Sequence, residues 1–217
     1  MRTTLHELAP SIQLADTDAK RSAVGAFLKQ QMPQIHDNAV PAVSMDDVYN
    51  PTVAYVDDAE GAVVAAALTN RAQVVVAARY ARKAGLPMPP GGGDYATVAD
   101  RHSELDLFAV AEDRRNEGLG GSLLVFIEYR LLQAGVRVWF GNVLPSVDAE
   151  HARRFYERHG FTMTQAGLEL PPLLGHHWVM PMAEPPEFYF YKSLTARGEH
   201  STSVTPRVQA TGQSVKP

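Results

Sequence analysis

Two carboxylates, Glu104 and Asp106, open the run Glu104-Leu-Asp-Leu-Phe-Ala-Val-Ala-Glu-Asp-Arg-Arg-Asn-Glu-Gly-Leu-Gly-Gly-Ser122. Leu105, Leu107 and Ala109 alternate with Glu104, Asp106 and Phe108. That period of two predicts a strand with one apolar face, the other offering carboxylates beside an aromatic. In a sheet covered on both sides, an inward carboxyl needs a partner or a cavity, and a substrate cleft is such a cavity. A carboxyl held there can accept a proton. The same residues also fit a solvated strand end or a pair with arginine. His102, two residues earlier on the same face, is a reserve proton acceptor.

After Val110 the charged run ends at Gly118-Leu119-Gly120-Gly121, and Leu119, Leu123, Phe126, Ile127, Leu131 and Ala134 follow at helical spacing. The first N–H groups of such a helix lack intrahelical partners, and glycines remove the side chains that would keep an anion away. With the positive end of the helix dipole this makes a cradle for a diphosphate. No Gly-Lys-Ser/Thr follows, and Leu123 stands where a dinucleotide fingerprint has its third glycine, so two familiar phosphate loops are excluded.

The pattern Arg-x-x-Gly-x-Gly, present as Arg115-Asn116-Glu117-Gly118-Leu119-Gly120, resembles the diphosphate-binding motif of the GNAT superfamily, the acyl-CoA-dependent N-acyltransferases. Ala152-Arg-Arg-Phe-Tyr-Glu-Arg-His-Gly-Phe161 is similar to the family's other signature, a short helix carrying Phe-Tyr that ends in Gly-Phe before a strand. The two signatures occur in the family's order. The resemblance implies an α/β fold with a mixed, mostly antiparallel central sheet, a splayed strand pair that admits the pantetheine arm, and flanking helices. It also implies acetyl-CoA as co-substrate: backbone N–H groups from Asn116 to Gly121 would hold the diphosphate, Arg115 and its neighbours would shape the turn, Ser122 would add a hydroxyl, and the backbone of Phe108 and Val110 would pair with pantetheine as an added strand.

Transfer to an amine needs a base. An alkyl amine with a pKa near 10.4 is neutral in only about one molecule in several thousand at pH 7, a handicap of roughly 4–5 kcal/mol. Glu104 lies where the histone-modifying branch of the family has its catalytic carboxylate. Tyr156 matches the tyrosine that protonates the leaving thiolate in many members, with Phe155 facing the sheet, and the resemblance places the oxyanion-binding N–H near Val110. Two departures stand out: Glu112 replaces the proline that often follows the central strand, and Ala149, preceded by Asp148, replaces a helix asparagine that contacts the cofactor.

The elements that must position these residues are legible in outline. Asp16 to Met32 predicts a helix capped by Asp16, with Ala19, Ala23, Phe27 and Leu28 inward and Pro33 closing it. Thr52–Val56 and Ala62–Leu68 predict a hairpin around Asp57-Asp-Ala-Glu-Gly61, and 72–85 a helix before the turn-rich Leu86–Gly93. Ser44–Asp47 reads as a short turn and Val136–Phe140 as a strand after Gly135. The Phe155-Tyr156 helix, a strand from Phe161 and a last strand Glu187–Leu194 complete the order. Leu170–Pro186, with His176-His177-Trp178, reads as a loop bordering the acceptor pocket; with no third ligand at a recognisable spacing, no metal is expected.

The 217 residues suit one domain over 1–195 with a flexible tail over 196–217. A composition 45% hydrophobic and 20% charged fits a soluble globular chain. A net charge of −4 and a pI near 6.0 give no footprint for nucleic acid. No signal peptide or membrane span is evident, so a cytoplasmic protein with no membrane partner is expected. The absence of cysteine excludes a covalent thioester on the enzyme. The expectation is an N-acetyltransferase acting by direct transfer on a small-molecule amine, with a homodimer allowed by family habit. A protein lysine or N-terminal acetyltransferase, and a non-catalytic acyl-CoA sensor, are the alternatives.

Overall fold

The structure, a computed structural model, describes residues 11–87, 100–145, 148–165 and 186–194. The His176-His177-Trp178 loop, most of Leu86–Gly93 and the tail lie outside these residues. The core is a seven-stranded sheet: β1 (Ile12–Leu14), β2 (Thr52–Asp57), β3 (Val63–Arg71), β4 (His102–Val110), β5 (Val138–Val143), β6 (Thr162–Gln165) and β7 (Phe188–Ser193), in the spatial order β1-β2-β3-β4-β5-β7-β6. Every neighbouring pair is antiparallel except β4 and β5. The helices are α1 (Asp18–Gln31), α2 (Asp46–Tyr49), α3 (Gln73–Ala84), α4 (Leu119–Gln133) and α5 (Ala149–Arg158).

Both faces of the sheet are covered. One packs Ala65, Ala67, Leu105, Trp139, Phe188 and Phe190 against Leu119, Leu123 and Ile127 of α4 and Tyr156 of α5. The other packs Val53, Tyr55, Ala66, Leu68 and Leu107 against Val24, Phe27 and Leu28 of α1, and Phe140 and Tyr189 against Val75 of α3. This double coverage is why β3 is buried at nearly every position and shows no alternation.

The sequence reading of β4 needs correction. Leu68 pairs with Leu107 while its neighbour Thr69 pairs with Leu105, so Asp106 is an extra residue, a β-bulge. The bulge resets the alternation. Leu105 joins the α4 face, whereas Leu107 and Ala109 join the α1 face, and Phe108 and Val110 turn toward α4. The predicted single apolar face of Leu105, Leu107 and Ala109 is therefore split between two cores.

Smaller corrections have local causes. Thr17, not Asp16, caps α1, accepting from the Lys20 N–H at 3.3 Å. The buried stripe of α1 runs through Arg21, Val24, Phe27 and Leu28 while Ala19 and Ala23 are exposed. Arg21 is inward because its guanidinium finds the Ala15 and Pro41 carbonyls and the Asp46 carboxylate. Strand β5 starts at Val138, later than expected, because the Val136 N–H closes α4 by donating to the Leu131 carbonyl.

Candidate active site

The site begins where two strands part. The pairing of β4 with β5 ends at Leu105 and Gly141, yet β4 continues to Val110 and β5 to Val143. Beyond that fork, β5 follows β7, and the second half of β4 is paired only with β3 among the described residues. Among the described residues its other edge has no partner strand, and a free strand edge is what an extended amide-bearing ligand uses. The side chains of Phe108 and Val110 lie on the α4 side of this edge.

Gly141 sits at the fork. A Cβ there would come 2.5 Å from the ring of Phe190 and 2.9 Å from the Leu105 carbonyl oxygen, so only glycine lets the ring cross the backbone. Tyr156 stacks on that Phe190 ring at 3.9 Å between centroids and 18° between planes. The phenol is 7% exposed, and burial raises its pKa. A proton that costs this much to remove favours a neutral donor over a base. Phe155 meets β4 as expected, 5.6 Å from Phe108, while Tyr156 is the more buried of the two.

The turn between β4 and α4 has the geometry of an anion cradle. Gly118, the N-cap of α4, has φ +80°, and no side chain caps the helix. Asn116 also has positive φ, +68°. A residue with a Cβ at Gly118 would cost about 1–2 kcal/mol. Arg114 forks onto Glu117 at 2.9–3.0 Å across the turn, whereas Arg115 and Asn116 are exposed. The side chain of Leu119 is in the core, leaving only its backbone N–H for a ligand. Gly120 lies under Phe108 and Phe155, which a Cβ would approach to 3.1 and 3.3 Å. Gly118, Gly121, Ser122, Phe126 and His159 line an open groove of about 690 Å³.

His159 was not legible as a site residue. Its Nδ1–H donates to the Phe155 carbonyl at 2.7 Å, since a carbonyl can only accept, and this turns Nε2 toward Gly121, whose added Cβ would lie 2.7 Å from it. A donor or acceptor thus stands beside the first turn of α4. Lys192 of β7 holds the region together, donating to Glu128 of α4 at 2.6 Å and to the His159 carbonyl at 3.0 Å. Ala149 opens α5, whose cap is Asp148, accepting from the His151 N–H at 3.0 Å.

Glu104 stands on the opposite face from Tyr156, beside its register partner Phe140 and the α3 cluster of Val75 and Tyr189. It is 3% exposed, and its Oε2 accepts from the Gln73 N–H at 3.2 Å, at the start of α3. Burial, aided by the Asp106 charge and opposed by the Gln73 N–H, pushes its pKa up to about 8. Asp106 reaches solvent, yet protein on several sides still desolvates its carboxyl and raises its pKa, with Asn70 pulling the other way. Asn70, which sequence reasoning missed, donates from Nδ2 to Asp106 Oδ2 at 3.0 Å. His102 is 7% exposed at the start of β4, opposite Val138. The structure thus brings Glu104 and Asp106 together on one face, and gathers the glycine turn, Phe108, Val110 and Tyr156 on the other.

Among the described residues no cluster of His, Cys, Asp or Glu could hold a metal ion, and no helix is long and apolar enough to cross a membrane. No curated protein matches the chain. Solved structures share its fold. A GNAT-family acetyltransferase from Staphylococcus aureus Mu50 superposes with a TM-score of 0.57 at 14% identity, over 85% of this chain and 100% of that one. An aminoglycoside 6'-N-acetyltransferase complexed with coenzyme A gives 0.54 at 15%, over 86% and 98%. The Salmonella typhimurium protein yncA with its cofactor acetyl-CoA gives 0.55 at 14%, over 87% and 95%. The model of the acetyltransferase (GNAT) domain family matches residues 53–163, which span the β2–β3 hairpin, the forked strand, the glycine turn and the Phe155-Tyr156 helix, and the chain belongs to that family.

Proposed function

We propose that this protein moves an acetyl group from acetyl-CoA to a primary amine of a small molecule, directly and within a ternary complex. The observation that carries the reading is the fork between β4 and β5. One face of it holds an uncapped, glycine-lined helix start and an unpaired strand edge, and the other holds a nearly inaccessible carboxyl with a pKa near 8. The residues fit acetyl-CoA on observable grounds: no side chain caps α4, and Gly118, where an added Cβ would meet nothing within 4 Å, leaves the start of the helix open. Asn116 to Gly121 would hold the diphosphate and the backbone of Phe108 and Val110 the pantetheine amides, with Ser122 and His159 at the margin. When bound, acetyl-CoA supplies the thioester.

Glu104 would then take a proton from the acceptor, and Tyr156 would give one to the departing thiolate. A base whose pKa lies near working pH combines adequate ionisation with useful basicity, which is what burial does for Glu104. The depth of Glu104, 3% exposed, favours a small acceptor over a bulky one. Thiol release from acetyl-CoA, followed with a panel of amines, tests the reading. Glu104→Gln and Tyr156→Phe are each expected to lower kcat by roughly 10²- to 10⁴-fold, the usual yield of one general acid or base. A rise in melting temperature with acetyl-CoA but no thiol release with any amine points instead to a sensor. Release with peptides alone points to a protein acetyltransferase.

A further inference from the structure

His159 brings a ring nitrogen with a bare lone pair to the edge of the α4 cradle. It is the C-cap of α5, and its Nδ1–H is spent on the Phe155 carbonyl at 2.7 Å, so the neutral ring carries its remaining lone pair on Nε2. Among the described residues nothing donates to Nε2. That nitrogen is the ring atom nearest Gly121, 2.7 Å from where a Cβ would sit, and His159 lines the open groove of about 690 Å³ together with Gly118, Gly121 and Ser122. Gly121 lies in the first turn of α4, where no capping side chain occupies the leading amides. A neutral imidazole so oriented offers a lone pair where the helix start attracts negative charge; a protonated one offers an N–H and a positive charge.

We propose that His159 is a further binding residue for acyl-CoA, one that takes up a proton when the diphosphate settles on α4. This rests on the acyl-CoA reading of the cradle above and adds a cation to it. The bond to Phe155 fixes the sign of the effect. Had Nδ1 been the bare nitrogen, a neutral ring could donate from Nε2; with Nδ1–H committed, only the imidazolium can. A phosphate oxygen set against the lone pair is repelled, and the same oxygen set against the N–H gains a charge-assisted hydrogen bond.

The surroundings supply no other counter-charge. Among the described residues no carboxylate pairs with the imidazole. On α4, Glu128 is bound to Lys192 at 2.6 Å, and Tyr129 lines the outer groove. On β7, Lys192 reaches the His159 carbonyl and not its ring. Within α5, Glu157 and Arg158 are exposed, and the Phe155 ring packs on the imidazole with centroids 4.5 Å apart. In the glycine turn, Glu117 is forked onto Arg114, and Arg115 is exposed. The diphosphate itself is then the anion that holds the proton on Nε2. The proton comes from solvent, stays while the diphosphate is bound and returns to solvent when coenzyme A leaves, so it is separate from the proton that acetyl transfer releases.

Calorimetry on the full chain with acetyl-dephospho-coenzyme A tests this without turnover, because that ligand has neither a 3'-phosphate nor a thiol to titrate and its diphosphate keeps one charge state near neutral pH. Titrations at about pH 7.5 in PIPES, HEPES and Tris, whose heats of ionisation differ, give the number of protons exchanged on binding. Wild type is expected to take up between about half a proton and one, and His159→Gln about none. Wild-type affinity should fall by up to about tenfold per pH unit above neutrality, while that of His159→Gln stays flat. Ring-nitrogen NMR of wild type reads the same event directly: the His159 signal, identified by its loss in the variant, should show Nε2 bare in the free protein and protonated in the complex. The proposal is overturned if wild type binds without proton uptake, if His159→Gln takes up as much as wild type, or if uptake appears only with acetyl-CoA and so needs its 3'-phosphate. Absence of heat from both ligands at every pH would sink the acyl-CoA reading itself, and this proposal with it.

Discussion

At the scale of single residues, Glu104 carries a measurable consequence. Its pKa is raised from 4.5 to about 8, chiefly by burial. Below pH 4.5 folded and unfolded chains both hold the proton, so the group costs the fold nothing. Between 4.5 and 8 the unfolded chain releases that proton while the folded one keeps it, and stability falls as pH rises; above 8 the penalty is constant. At its largest it is on the order of 5 kcal/mol. Glu104→Gln, which can still accept from the Gln73 N–H, should therefore gain little over wild type near pH 4.5 and progressively more up to pH 8, read from urea midpoints across that range. A gain independent of pH would mean that Glu104 titrates alike in both states. The sequence pointed to Glu104 through its strand position and its match to the catalytic carboxylate of the histone-modifying branch of the family, but Asn70 was invisible because only the register of β3 on β4 brings it beside Asp106.

Among the elements, the fork depends on Gly141, and so does Tyr156. The Phe190 ring crosses the bare backbone of Gly141, and Tyr156 stacks on its other side. A methyl at 141 meets a backbone oxygen at 2.9 Å as well as the ring, and a backbone oxygen in a paired strand yields little. Gly141→Ala should cost about 1–3 kcal/mol from overpacking and lower kcat by displacing Tyr156, while acetyl-CoA affinity, held by the turn into α4, stays within a few-fold. Denaturant midpoints, thiol release and calorimetry on the one variant separate these effects. Unchanged stability together with unchanged kcat would remove the fork from the account. Periodicity found β4 and α4 because each is long and patterned, yet a two-residue period cannot reveal where it is reset, and the bulge at Asp106 reversed the assignment of Leu105 relative to Leu107. Three-residue β1 has too few side chains to show a period at all.

On the scale of the whole molecule, the proposed roles of Tyr156 and Glu104 put the two half-reactions on opposite faces of the sheet. Tyr156 and the cradle lie on the α4 face and Glu104 on the α3 face, so a thioester and an amine can meet only through the gap where β4 and β5 separate. On the proposed reading the acetyl group passes directly from one substrate to the other, and a chain without cysteine has no thiol to carry it. Both substrates must then be present at once. Initial rates measured against acetyl-CoA at several fixed amine concentrations should give intersecting lines in double-reciprocal form, and protein incubated with acetyl-CoA alone should keep its unmodified mass. Parallel lines, together with an acetylated protein competent to pass its group to an amine, would mean that a nucleophile on one face works in two steps. The fork would then be a structural opening and not the meeting place of two substrates.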